Sequence, residues 1–377
     1  MCAKSNKMKL IYITSKTFPS GKVEPFIIKS MATAFAELLG QDFTLFIRGK
    51  VPPGFERMNT IGVKLPNRAK SLSYFIILPF WIIRRSWNKR DTIFFSSDPY
   101  LLAILIFWRG VFRFKYSICS EWHQLFDDWR DLYVANGSDF LISTSKTLRN
   151  FLSSRSGVDI DRIHVPYGGI NRALISRENR PSMLEYRERL GLPKDAFLVG
   201  YAGAYKAMIS VEKGIATMIK SLALIDKDIT MYFVGGTKKE IEEYSELALK
   251  EGVSHKCVFL GKQLFKDLIE YERSMDVLVI ANPDTPYFRN YCFPFKTWEY
   301  LSSGRPIIYS DLEIIDEILG ARATPFKVGD PHSLARAINS VHEDMENKEK
   351  VAEKNLEDLK QFTWKARAQN VINMMST

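Results

Sequence analysis

Residues 291–311 read YCFPFKTWEYLSSGRPIIYSD, and the order of elements in this stretch decides the fold. Pro294 suits the first turn of a helix, because the N–H it lacks would be unpaired there anyway. Gly304 and Pro306 end that helix, and the apolar run after them predicts a short buried strand. A helix that returns directly into such a strand is one repeat of a parallel α/β layer. The stretch also puts Lys296 in the helix's opening turn, where the helix dipole disfavours a cation. Glu299 follows three residues later, on the same face.

Working outward, short apolar strands alternate with longer helical patterns on both sides. KLIYITS leads through the Gly/Pro loop KTFPSGKVEP into the helix FIIKSMATAFAELLG, and FTLFIRG, DTIFFSS, KYSICSE and FLISTS are further strands. RIHVPYGGIN closes this half, and the polar, unpatterned RALISRENRPSM reads as a linker. A second series runs through AFLVGYAGA, TMYFVGG, CVFLG, DVLVIAN and PIIYSD. The expectation is two Rossmann-like α/β domains, residues 1–172 and 173–360, facing across a cleft. The amphipathic segment 361–377, containing FTWKARAQNVINMMST, is expected to cross back onto the first. Ligands of such sheets bind at the carboxyl ends of the strands.

A chain of 377 residues is comfortable for two domains. Its 46% hydrophobic and 25% charged residues are ordinary globular values. Cys2, Cys119, Cys257 and Cys292 show no paired spacing, which argues against a disulfide framework or a zinc site and fits a reducing cytosol. The start MCAKSNKMKLIYITS has too short an apolar run for a signal peptide. The net charge of +10 is uneven: from Lys64 to Lys115 ten Lys/Arg face only Asp91 and Asp98. That region holds SYFIILPFWIIRRSW and YLLAILIFWRGVFRF, too short to span a bilayer. Basic residues bordering aromatic, apolar helices suit an anionic lipid surface. The alternative is buried helices whose basic residues snorkel. Nucleic acid fits less well, since the stretch lacks the polar-basic spacing of a phosphate-tracking groove.

The chemistry concentrates in the second half. A helix N-terminus attracts phosphate, and Lys296 would add charge to the same anion. A carboxylate accepts hydrogen bonds only, so Glu299 suits the adjacent hydroxyls of a ribose. Phosphate plus diol describes a nucleotide, whereas a plain surface ion pair is the bland alternative. YAGAYKAMISVEKGI places Gly203 directly after a strand and Lys213 with Gly214 before a helix, a backbone and a cation able to meet phosphate. YFVGGTKKE repeats the pattern with Gly235 and Gly236.

Together these motifs resemble the nucleotide-sugar domain of GT-B glycosyltransferases, in particular the large retaining group called family four (glycosyl transferases group 1). Strand–Gly203–loop–Lys213–Gly214 resembles its diphosphate segment. VFLGKQLFKDLIEYERSMDVLVIAN, with Gly261, resembles its base-contacting strand and helix. FPFKTWEYLSSGRPIIYSD resembles its signature helix, with Glu299 as the ribose-binding glutamate. RIHVPYGGIN and FTWKARAQ resemble the closing segment of the first domain and the returning helix, so the likeness covers nearly the whole chain. Two positions depart from the family pattern. Tyr291 stands where many members carry a glutamate facing the donor sugar, and Ala204 where many carry an arginine. In the first half, His123 in SEWHQLFDDW matches a histidine that relatives place beside the transferring sugar. PSGKVEP, with Gly21, would bring backbone N–H groups near the donor phosphates or the acceptor.

The resemblance implies transfer of a sugar, with retention, from a nucleotide-diphosphate donor to an acceptor hydroxyl, without a metal. His123, Lys213 and Lys296 are the catalytic candidates. Gly21, Gly203, Lys213, Gly235, Gly261, Lys296 and Glu299 would bind the donor. The basic apolar surface suggests a lipid-linked or envelope glycan acceptor and an enzyme in the cytoplasm, peripheral on the membrane. A non-catalytic partner subunit of the same fold is the alternative, and a nucleotide-sugar 2-epimerase a more distant one.

Overall fold

The structure is a computed structural model. It describes residues 8–18, 23–55, 58–63, 74–81, 91–176, 178, 180–207, 211–291 and 295–376. Gly21, Cys2, Cys292, Pro294 and much of the basic stretch, including Arg84, Arg85, Trp87, Lys89 and Arg90, lie outside the described residues.

The chain divides into two compact units, 1–169 with 363–377, and 170–362. In the first, the strands are β1 (Lys9–Ile13), β2 (Phe43–Arg48), β3 (Thr60–Val63), β4 (Thr92–Ser96), β5 (Ser117–Trp122), β6 (Phe140–Ser143) and β7 (Ile163–His164). They form one sheet in the order β3-β2-β1-β4-β5-β6-β7, with every pairing parallel. TIFFS of β4 is buried at all five positions, as expected for a central strand covered by helices on both faces. β3, the edge strand TIGV, has no fully buried residue, and its alternating Ile61 and Val63 make too short a pattern for periodicity to reveal it.

The helix Trp364–Ser376 belongs to this first unit, where it packs on the helix Val23–Leu39. Trp364, Ala368, Val371 and Met375, at the i, i+4, i+7 spacing of one helix face, are buried.

The second unit holds β8 (Phe197–Ala202), β9 (Ile229–Gly236), β10 (Cys257–Gly261), β11 (Val277–Ile280), β12 (Ile307–Ser310) and β13 (Thr324–Phe326). Their order is β10-β9-β8-β11-β12-β13, again all parallel. The chain reverses its direction of travel across the sheet between β8 and β11, the topological switch point where such sheets open a ligand crevice. The segment read as a linker is part of this unit. It contains a short helix, Arg172–Ile175, and Arg180 donates to the carbonyls of Ser302 and Ser303.

Candidate functional site

The helix of the opening stretch runs from Lys296 to Ser303, and no side chain caps its N-terminus. It is fastened to the end of β8 by Tyr300. The Ala202 N–H donates to the Tyr300 hydroxyl at 2.8 Å, and that hydroxyl lies 3.3 Å from the Ala202 carbonyl. This bond sets Lys296 against Gly203, the first residue after β8. A Cβ added at Gly203 would lie 3.1 Å from Lys296 Cε. Gly203 also has φ +147°, a conformation that L side chains rarely adopt. Gly235 lies beneath it, so close that a Cβ there would meet the Gly203 carbonyl oxygen at 2.5 Å. Gly203, Gly235, Lys296 and Glu299 are thus brought together at the carboxyl ends of β8 and β9.

The sequence leaves the partners of Lys296 open, and the structure supplies two. Its ammonium bonds to Glu299 Oε1 and lies 2.9 Å from Glu272 Oε1. Glu272, on the helix Phe265–Ser274, was not among the residues read from sequence. Its side chain is fully buried, whereas Lys296 keeps 24% and Glu299 19% of theirs exposed. The signal for it exists: a carboxylate three residues after Ile269, on the buried stripe of an amphipathic helix.

Burial, and the negative charge of Glu299 beside it, push the Glu272 carboxyl well above the ordinary range. Burial works against charge on Glu299 too, but Lys296, the bond from Glu272 and the more distant Lys213 outweigh it and hold its carboxyl low. For Lys296, burial is likewise outweighed, and Glu272 and Glu299 raise its pKa. These directions favour charge on Lys296 and Glu299 and oppose it on Glu272.

Lys213 reaches this cluster through its charge on Glu299, and its N–H donates to the Tyr205 carbonyl at 3.0 Å. The helix after it, Ile215–Leu222, is packed at the switch point. Gly214, at φ +81°, sits so near β11 that a Cβ would fall 1.8 Å from the Ala281 carbonyl oxygen. The N-terminus of this helix is closed by Glu212, whose Oε1 accepts from the Ala216 N–H at 2.6 Å. First-turn N–H groups of this helix are therefore met by a carboxylate. Gly261, at the end of β10, pairs with Gly236, with open space where a Cβ would be and the Gln263 amide donating to its carbonyl at 3.1 Å.

In the first unit, His123 follows β5 and its Nε2 stands 3.4 Å from Glu121 Oε2, a contact longer than a well-formed hydrogen bond. The other oxygen, Oε1, accepts from Arg367 Nη2 at 2.7 Å, and Arg367 also donates to the Pro166 carbonyl. Burial opposes charge on Glu121, but His123 and Arg367 outweigh it and bring its pKa from the ordinary 4.5 to about 2. Arg367 is therefore a buried cation that the returning helix supplies to β5. Among the described residues, no group of three or more His, Cys, Asp or Glu side chains is placed to hold a metal ion.

Comparison with known proteins places these features. Residues 196–344 match the family described as glycosyl transferases group 1. A D-inositol 3-phosphate glycosyltransferase of Corynebacterium glutamicum is 24% identical over 62% of this chain and 56% of its own length. A Bacillus subtilis glycosyltransferase, provisionally named for teichuronic acid biosynthesis, is 19% identical over 77% of this chain and 67% of its own. The chain spans little more than half the length of several curated relatives it matches. Among solved structures, HepE of Anabaena in complex with UDP superimposes with a TM-score of 0.74 over 98% of this chain and 100% of that one, at 15% identity. The family match falls within the second unit, and the chain as a whole has the two-domain α/β GT-B fold.

Proposed function

We propose that this protein is a glycosyltransferase that takes its sugar from a nucleoside-diphosphate sugar bound by the second unit and hands it, with retention, to an acceptor hydroxyl. The observation that carries this reading is the cluster Gly203–Lys296–Glu299 at the strand ends beside the β8/β11 switch point. Gly203 offers bare backbone to phosphate, Lys296 and Lys213 supply charge, and the partly exposed Glu299 carboxylate can accept from a ribose diol. In the reaction, the bond from the anomeric carbon to the diphosphate oxygen breaks and a bond to the acceptor oxygen forms. The acceptor proton leaves with the diphosphate. Negative charge then grows on the diphosphate where the two lysines already stand, which is preorganised electrostatic stabilisation. In this reading no metal is required, and His123 contacts the transferring sugar or the acceptor.

The acceptor we propose is a lipid-linked or envelope glycan, met at an anionic membrane surface on the cytoplasmic side. The teichuronic acid relative supports this, and so does the described part of the basic stretch. There Phe80, Phe107, Val111 and Phe112 are 70%, 42%, 54% and 42% exposed, in company with the exposed Arg113. No helix among the described residues is long and apolar enough to cross a membrane.

A thermal-shift panel of UDP-, GDP- and ADP-sugars tests the donor assignment. A ligand at about 100 times its Kd stabilises the fold by roughly 2.7 kcal/mol, and one base is expected to stand out. No shift with any of them contradicts the reading. A shift without turnover on any glycan acceptor would favour a non-catalytic partner subunit.

A further inference from the structure

The Lys296 ammonium is shared by two carboxylates, and only one of them, Glu299, reaches solvent. Glu272 comes from a different helix, its side chain is fully buried, and its Oε2 has no hydrogen-bond donor directed at it. If both carboxylates were charged, the three side chains would carry a net negative charge at the place where a diphosphate must bind. With a proton on Glu272 the trio is neutral, so it no longer repels an anion. A protonated Glu272 can also donate to Glu299 while its Oε1 still accepts from Lys296. That satisfies the otherwise orphaned buried oxygen, whose desolvation would cost stability.

We propose that Glu272 is a positioning residue of the donor site, a buried acid that fixes the Lys296 ammonium beside Gly203 and keeps its own proton when a nucleoside diphosphate binds. This rests on the reading of the second unit as a donor site.

Other charged and titratable groups surround it, among them Lys213 and Glu212 of the adjoining loop, where burial raises the Glu212 carboxyl. The helix Lys296–Ser303 presents Lys296, Glu299 and Tyr300. β8 presents Tyr201, whose hydroxyl donates to the Ala204 carbonyl at 2.7 Å. On the helix Met183–Leu190, Arg187 is held by Asp276 at 2.6 Å. The carboxyl is already pushed up by burial and by Glu299, and the direction follows from that. Anion binding favours the protonated form, so affinity falls as pH rises through the Glu272 pKa. The slope approaches tenfold per pH unit once the acid is mostly ionised.

The experiment is calorimetric titration of UDP, or of whichever nucleoside diphosphate the thermal-shift panel selects, across the neutral and mildly alkaline range where the diphosphate is fully charged. It compares the parent with Glu272→Gln and Glu272→Ala. Glutamine reproduces the donor and acceptor of the protonated acid and cannot ionise. Glu272→Gln is expected to bind within about threefold of the parent at neutral pH and to lose the alkaline weakening. Glu272→Ala, which frees Lys296 from its buried partner, is expected to weaken binding about tenfold or more, with kcat falling alongside. Should alanine prevent folding, the glutamine pH profile alone decides. An alkaline weakening that persists in Glu272→Gln, or a parent affinity that is flat with pH, overturns the proposal while leaving the donor site standing. A parent that binds no nucleoside diphosphate at any pH overturns both.

Discussion

At the scale of single residues, the site depends on a lysine that would be misplaced in an isolated helix. The dipole disfavours Lys296 where it stands by a few tenths of a kcal/mol. Two carboxylates reverse that balance, and the site then holds a fixed cation with one face open. Two substitutions test this arrangement. Gly203→Ala forces a side chain into a backbone conformation at φ +147° and sets its Cβ 3.1 Å from Lys296 Cε. It is expected to move the ammonium and weaken donor binding, with a loss of stability of about 1–3 kcal/mol. Donor affinity and thermal melts, measured together, separate the two effects, and an unchanged affinity would detach Gly203 from the site. Lys213→Ala is expected to lower turnover roughly 100-fold or more, by analogy with losing one donor to a developing oxyanion. Kinetics in which only the acceptor KM changes would place Lys213 elsewhere.

At the scale of elements, the returning helix Trp364–Ser376 is held to the first unit by apolar packing and by one buried ion pair, Arg367 with Glu121. Glu121 has a depressed pKa in the folded state, so its contribution is complete above the ordinary 4.5 and is lost as pH falls toward about 2. The shift corresponds to about 3 kcal/mol, an order-of-magnitude figure. Acid unfolding followed by circular dichroism is expected to show the parent losing stability across that window. A Glu121→Gln variant would start lower and lose less. Parallel curves for the two would remove Glu121 from the acid response. Arg367→Met, which strands a buried carboxylate, is expected to cost about 3–5 kcal/mol.

These elements also show what a sequence can and cannot disclose. The buried central strands were legible as apolar runs, and the Lys296 helix from its Gly304 and Pro306 terminators. The edge strand β3 was not, because its four residues hold only one repeat of alternation, Ile61 and Val63. The pairs Lys296–Glu272 and Arg367–Glu121 join residues 24 and 246 positions apart, and no local spacing encodes them. Glu212 was hidden differently. It sits inside the loop that was read, but its turn back onto the Ala216 N–H is a matter of tertiary geometry.

At the scale of the whole molecule, the exposed aromatic face of the first unit and the donor cluster of the second divide the labour we propose, with the membrane and acceptor on one unit and the nucleotide on the other. Replacing Phe80 and Phe107 by Ser is expected to weaken co-sedimentation with anionic vesicles. Each ring that enters the lipid interface contributes about 1.5–3 kcal/mol, and donor binding should be untouched. Binding that ignores vesicle charge, salt and both substitutions would return this face to an ordinary protein surface. The central claim is that the second unit recognises a nucleoside diphosphate through Lys296 and Glu299. Titration of UDP into the parent and into Glu299→Ala, with folding checked by circular dichroism, tests it most directly. The account predicts saturable binding to the parent and an affinity about tenfold or more weaker in the variant, since each charge-assisted bond to the ribose is worth about 1.5–3 kcal/mol. Equal affinities in two equally folded proteins would contradict it.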